Sequence, residues 1–273
     1  MTCPNRDGTV GTRGCIFCSE KGSGEFAAHG SISEQIDAAI RLLGKKGEGC
    51  KYIAYFQSFT NTYGDIDFLR SRFEAAAEDE RIVLLSIATR PDCLGKDVLE
   101  MLASLASKKP LWVELGLQTV HESTAKYIRR GYELEVYEKA VSDLHEIGAE
   151  VITHQIIGLP GETAEMAVET ARYIGRHSDG IKLQLLHILK DSDLYLEYQN
   201  GNVPVLSLEE YTEILKRCIR ALPEKTVVHR ITGDGDKRTL VAPLWSADKK
   251  RVLNYIKAAF ERDNTVQGVD SKA

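Results

Sequence analysis

The feature that most constrains the fold of this 273-residue chain is an alternation of two kinds of segment. Short runs that are apolar nearly throughout, and rich in β-branched and aromatic residues, recur at 51–57 (KYIAYFQ), 81–90, 111–118, 150–159, 179–189 and 226–232. Between them lie stretches with helical spacing of apolar residues: 31–47, 65–78, 96–107, 123–147, 163–176, one from Leu208 that ends before Pro223, and one from Ala247. Continuously apolar strands joined by helices are parallel strands under helical cover. The pattern predicts an α/β fold, an open or closed βα barrel. No linker, repeat or low-complexity stretch interrupts it. One domain is expected over 1–273, with a loop over 1–30, the barrel over 31–232 and a basic, helical extension over 233–273 whose end (VQGVDSKA) is frayed.

In the loops of such folds, at the carboxyl ends of the strands, functional groups gather. The distinctive short motifs fall there: QSFTNT, TRPD, QT at 118–119, GLPGE, HILKDSD and HRITGDGD. Ahead of the first helix, Cys3, Cys15 and Cys18 form a C-x11-C-x2-C array. Three thiolates from one loop suit a metal or an iron–sulfur cluster, and three ligands leave one position open for chemistry.

Composition narrows the setting. No apolar run reaches the ~18–20 residues of a membrane span, and no basic-then-apolar leader opens the chain. Six cysteines in 273 residues make no disulfide framework, so a reducing cytoplasm is expected. The net charge of −5 is uneven: Lys216 to Lys257 holds 11 Lys/Arg against 4 Asp/Glu, the rest 24 against 36. A basic segment on an acidic body suits an anionic partner such as nucleic acid, or it is a solvated helix face.

The segments CPNRDGTVGTRGCIFCSEKGSGEF, YFQSFTNTYGD, SIATRPD, ELGLQTVHESTAKYIRRGY, IIGLPGET and HRITGDGDKRTLVAPLWS together resemble the YhcC/MnmL (YtqA)-type radical SAM proteins, relatives of the radical SAM domain of the elongator catalytic subunit. The resemblance covers nearly the whole chain and implies a partial (β/α)6, TIM-like barrel. It implies a 4Fe–4S cluster on Cys3, Cys15 and Cys18, with S-adenosylmethionine (SAM) on the open iron and a 5′-deoxyadenosyl radical as the reactive species. It places Phe17 beside the cluster or adenine, or in the core; Gln57 and Ser58 at the SAM amino group; and Gln118 and Arg130 at the ribose and carboxylate, with one of Arg129 and Arg130 merely solvated. Ile156, Gly158, Leu159 and Pro160 line the adenine side; mid-strand Glu114 faces the site, the favoured reading, or holds a structural ion pair. Where distant relatives carry an acidic residue after the third strand, Thr89, Arg90 or Asp92 stand in. Cys50, Cys93 and Cys218 are expected as packed thiols.

The substrate implied is tRNA, at the wobble-uridine 5-carboxymethylaminomethyl group, with a reductase or a flavodoxin- or ferredoxin-type electron donor. His154, His187, Arg230, Lys237, Arg238, Lys249 and Lys250 are candidate substrate contacts. Trp245 and Tyr255 fit base stacking and core packing alike. Members of the group carry a few dozen residues, including a first strand, before the first cysteine, whereas Cys3 here follows Met1 and Thr2. The expectation is a barrel without its first strand, an unanchored cysteine loop and an exposed neighbouring strand. Other readings stay open: a radical SAM enzyme on another substrate, a non-catalytic zinc and RNA-binding protein with His29 or Cys50 as fourth ligand, and an inactive truncated copy.

Overall fold

The computed structural model describes residues 2–22, 24, 28, 30–47, 49–233 and 235–271. His29, and Ser23, Glu25 and Phe26 of the cysteine motif, lie outside them. The chain forms two compact units: Met1–Thr12, Lys21–Gly116 and Glu135–Val151 make the first, and Arg13–Glu20, Leu117–Leu134 and Ile152–Ala273 the second.

In the first unit, β1 (Tyr52–Phe56), β2 (Ile82–Thr89) and β3 (Leu111–Gln118, its last two residues in the second unit) pair in parallel in that order. Helices α1 (Ile32–Leu43), α2 (Ile66–Glu78) and α3 (Lys96–Ala106) alternate with them. Ser31 and Glu34 close a capping box on α1, and Asp65 caps α2. One sheet face buries Leu85, Ile87, Val113 and Leu115, and α2 and α3 bury Leu69, Phe73, Met101 and Leu102. Phe56 meets Phe73 edge-on, 4.8 Å between ring centres. β1 stands at the end of the strand order and exposes Ile53 and Tyr55, the edge expected from the sequence.

The stretch 123–147 is not one helix. It divides into α4 (Glu122–Tyr127), in the second unit, and α5 (Leu134–Glu146). The break is a helix stop: Arg129 (φ 57°) and Gly131 (φ 81°) adopt left-handed backbone, and the Arg130 amide reaches back to the Ala125 carbonyl.

In the second unit, β4 (Glu150–Ile157, its first two residues in the first unit), β5 (Gly180–Leu185) and β7 (Val227–Arg230) are parallel. α6 (Ala164–His177) and α8 (Leu208–Ala221) cover them. The apolar run 179–189 is two strands rather than one. Leu186 turns its amide to Ile157, and β6 (Ile188–Leu189) then pairs antiparallel with β8 (Leu240–Ala242). A continuous apolar run hides such a turn. A short helix, α7 (Leu194–Gln199), follows, and the last helix, α9 (Lys249–Arg262), is preceded by a 3-10 turn.

Of the C-terminal residues expected to fray, Lys272 and Ala273 lie outside the described residues, and Gln267 and Asp270 are tied down. Gln267 donates to the Pro223 and Thr226 carbonyls at 2.7 Å each, and Arg220 grips Asp270 with two nitrogens.

Candidate functional site

Two strand-end loops carry most of the first unit's candidates. Gln57 and Ser58 follow β1, and the next residue, Phe59, is held at φ 58° with its amide on the Gly22 carbonyl. Ser58 lies so close to Gly24 that a β-carbon there would stand 2.1 Å from its hydroxyl oxygen. Cys3 belongs to this unit and is anchored by loops. Its carbonyl accepts the Arg6 amide, the preceding Thr2 carbonyl accepts the Thr60 amide, and Arg6 lies over the Phe59 ring. The expected loss of anchorage is therefore not seen.

Asn61 ties the ends of β1 and β2 by donating to the Phe56 and Ala88 carbonyls. Thr89 shares a hydrogen bond with Thr62, and Arg90 forms a bidentate pair with Asp92. Beside them opens a cleft of about 580 Å³ lined by Pro4, Thr9, Thr62, Tyr63, Asp92 and Cys93. Burial pushes the Cys93 thiol up to about 12, and Asp92 adds to it.

Glu114 is buried and accepts from the Ser86 hydroxyl at 2.6 Å and the Tyr55 hydroxyl at 2.9 Å. The register puts Tyr55 beside Ser86, and Glu114 two residues along from Ser86's partner on β3. All three therefore share one sheet face, opposite the face that carries Leu85 and Ile87. Cys50, expected to pack, is instead exposed and donates to the Lys46 carbonyl. Cys218 is buried as expected, its thiol also pushed up to about 12 by burial.

The second unit holds Cys15 and Cys18 on one turn, the Cys18 amide donating to the Cys15 carbonyl at 3.0 Å. Neither is in a disulfide, and both are half-buried. Ile16 and Phe17 between them pack on a core cluster that includes Ile156, Leu159, Leu186 and Leu194. Core packing of Phe17 and the expected closeness of GLPGE are thus one arrangement. Gly158 sits at φ 93° with Leu206 3.0 Å from where a β-carbon would be, so any other residue would be strained there. Pro160 lines a cleft of about 430 Å³ with Thr124, Tyr127, Glu197 and Asn202.

Gln118 is the most strained candidate. It stands at φ 67°, and the Thr119 amide bonds back to the Leu117 carbonyl at 2.9 Å. A γ-turn of this sign is rare, and an ordinary residue in left-handed backbone costs ~1–2 kcal/mol. Two groups brace it through Thr119: its hydroxyl donates to Glu162, and its carbonyl accepts from Arg130.

Arg130 is 1% exposed and also donates to the Tyr132 carbonyl and to Glu122. Its guanidinium holds the turn that presents Gln118. Neither of the paired arginines is merely solvated, since Arg129 is ion-paired to Asp193. Glu162 was invisible as a partner because Thr119 lies 43 residues away. Lys182, buried on β5 and in register with His154 and Arg230, was signalled only as a lysine in an apolar run.

Among the substrate candidates, His187 shares a hydrogen bond with Ser246, and a β-carbon on Gly233 would stand 2.7 Å from its ring. Arg238 is clasped by Asp236. Lys249 and Lys250 open α9 with Arg251, and Lys237 lies in the turn before β8. Much of the basic excess is neutralised internally: Lys216 pairs with Glu213 and Asp263, Arg217 with Glu165, Arg220 with Asp270 and Lys257 with Glu261. Trp245 donates to the Leu206 carbonyl and leans on Tyr211, which favours the packing role.

Among the described residues, no group of three or more His, Cys, Asp or Glu side chains stands in metal-holding geometry. The donor set itself fits a thiolate-bound cluster: cysteines in no disulfide, two of them on one turn. Among the described residues, no helix is long and apolar enough to cross a membrane.

Protein YtqA of Bacillus subtilis is 43% identical over 270 residues, 97% of this chain and 84% of that one. A tRNA uridine(34) acetyltransferase of Methanocaldococcus jannaschii is 28% identical over 160 residues, 57% of this chain and 29% of that one. The structure of an archaeal Elp3 from Methanocaldococcus infernus, lacking N-terminal residues, superposes with a TM-score of 0.75 at 22% identity. It covers 87% of this chain, which spans 60% of that one, and so shares its α/β fold. The radical SAM superfamily profile matches residues 8–174, and the radical SAM C-terminal domain profile matches 178–262. On these matches the chain belongs to the radical SAM superfamily.

Proposed function

We propose that this chain is a radical SAM enzyme that binds a 4Fe–4S cluster through Cys3, Cys15 and Cys18 and acts on tRNA. The observation that carries the reading is the Cys15–Cys18 turn, its thiols in no disulfide, seated on the same core as the GLPGE loop. When bound, the cluster supplies the electron that cleaves SAM to a 5′-deoxyadenosyl radical. The chain's own residues bind and orient. Ile156, Gly158 and Leu159 offer an apolar wall and a backbone without a side chain, suited to an adenine face. The strained turn at Gln118 presents an amide, fixed by Thr119, Arg130 and Glu162. Gln57 and Ser58 offer polar groups for the SAM amino group. Glu114, held by Ser86 and Tyr55, faces the substrate side.

Two points support a nucleic-acid substrate: the similarity to a tRNA uridine(34) acetyltransferase, and Lys249, Lys250 and Arg251 in the first turn of α9. Cations there oppose the helix dipole by ~0.3–1 kcal/mol each, a cost that a bound phosphate would offset. Modification of the wobble uridine side chain is the proposed reaction. The electron comes from a reductase or a flavodoxin- or ferredoxin-type protein in a reducing cytoplasm.

The test is anaerobic reconstitution with iron and sulfide, then reduction with SAM. A brown chain that forms 5′-deoxyadenosine, and does so faster with tRNA from a strain lacking the gene, is expected. A colourless zinc protein would refute the enzyme reading. Cleavage indifferent to tRNA would refute the substrate.

A further inference from the structure

The segment HILKDSD ends in a tight turn after β6 that the proposed chemistry leaves without a task. Asp193 in it accepts from two arginines, Arg13 at 2.6 Å and Arg129 at 2.5 Å. Arg13 lies two residues before Cys15. Arg129 forms the stop of α4, and its carbonyl accepts from the Cys15 thiol at 3.7 Å. Its neighbour Ile128 accepts the Ile16 amide at 3.1 Å, and the Leu194 amide donates to the Ile16 carbonyl at 2.8 Å. On the far side of the turn, Asp191 accepts the Glu20 amide at 3.2 Å. The Cys15–Cys18 turn is thus bracketed by the α4 stop on one side and the 191–194 turn on the other, and Asp193 joins the two.

Arg129 argues that this clasp has a purpose beyond stability. It is a non-glycine residue at φ 57°, where glycine would relieve strain. Strain of this kind persists where surrounding contacts over-determine it, and it collects at ligand sites. The Asp193 pair is the contact that a glycine there would forfeit. Burial draws the Asp193 carboxyl up, but hydrogen bonds from Arg129 and Arg13 outweigh it, so the group is held below its usual range and charged.

We propose that Asp193 is a positioning residue that, through Arg13 and Arg129, holds the Cys15–Cys18 turn in ligand-ready form before iron arrives. The inference rests on the reading of that turn as the cluster's ligand. Ligands fixed in advance lose less freedom on binding, and groups outside the ligand set that orient it typically change metal affinity ~10–100-fold.

Two readouts test it on the full chain: alkylation of Cys15 in the metal-free protein, followed by mass spectrometry, and release of iron to a chelator from the reconstituted protein. Asp193→Asn keeps the size and removes the charge. Arg129→Gly removes the pair while relaxing the backbone, so it folds even if Asp193→Asn does not. Each is expected to speed both alkylation and iron release about tenfold, with Asp193→Glu partly restoring them. Wild-type alkylation and release in Arg129→Gly would overturn the inference. The Cys15→Ala control separates the two ideas: full iron retention there defeats the cluster reading itself, whereas iron loss there with unchanged Arg129→Gly behaviour defeats only the role of Asp193.

Discussion

The Thr119 hydroxyl donates to the Glu162 carboxylate at 2.5 Å, and this bond couples the end of β3 to the GLPGE loop. Glu162 is largely buried, and burial pushes its carboxyl above the ordinary range, while Thr119 and His121 pull it part of the way back. In the unfolded chain the group ionises first. As pH rises through the ordinary carboxylate value the folded form keeps a proton that the unfolded form has lost, so stability falls until the folded group ionises too. Glu162→Gln keeps an acceptor for Thr119 and removes this slope, which melting curves from acid to neutral pH will show. Glu162→Ala leaves a buried hydroxyl unmet, costs ~1–3 kcal/mol and weakens SAM binding by calorimetry. Unchanged binding in Glu162→Ala would separate the bond from the site.

Arg130 makes three side-chain hydrogen bonds from a buried position. Arg130→Lys cannot reproduce the planar fork, and is expected to cost ~2–3 kcal/mol. A melting temperature equal to wild type would show that the turn at Gln118 stands without it.

The basic residues of the C-terminal segment differ in place: Arg217 and Arg220 pair with carboxylates, and Lys249 and Lys250 stand in the first turn of α9, a difference that predicts their behaviour with tRNA. Lys249→Glu with Lys250→Glu is expected to weaken binding and to lower the salt slope by ~1–2. Arg217→Glu and Arg220→Glu break internal pairs and should lower stability more than affinity. Equal loss of affinity in both sets, measured by salt titration, would place the RNA elsewhere.

Gly158→Ala puts a side chain into left-handed backbone against Leu206 and is expected to cost ~1–3 kcal/mol. Thermal unfolding measures it, and a neutral result would mean that the loop relaxes.

Much of the fold was legible because each main strand is a continuous apolar run, and β3 begins and ends where its run does. What escaped was decided by partners distant in the sequence. The division of 123–147 at Arg129 depends on an αL residue that is not glycine, with only Gly131 as a local clue. The turn between β5 and β6 depends on Ile157 and on the Leu240–Ala242 strand. At the site, the cysteines and the GLPGE loop could be read from the residues themselves. The task of Arg130 could not, because its acceptors are mostly backbone carbonyls, which no side-chain pattern records. The basic stretch misled by the same route: its acidic partners, Asp263, Asp270 and Glu165, lie on other segments.

The clasp on Ile16 has a consequence for biogenesis. Its two backbone partners, Ile128 and Leu194, are made long after it as the chain is synthesised. Closing loops of that length is slow compared with forming a local turn. On a ribosome the cysteine turn therefore waits, reduced and unshaped, until Leu194 has emerged and the second unit can close. If the turn holds the proposed cluster, iron delivered before Leu194 emerges would meet thiols whose turn lacks both of these partners.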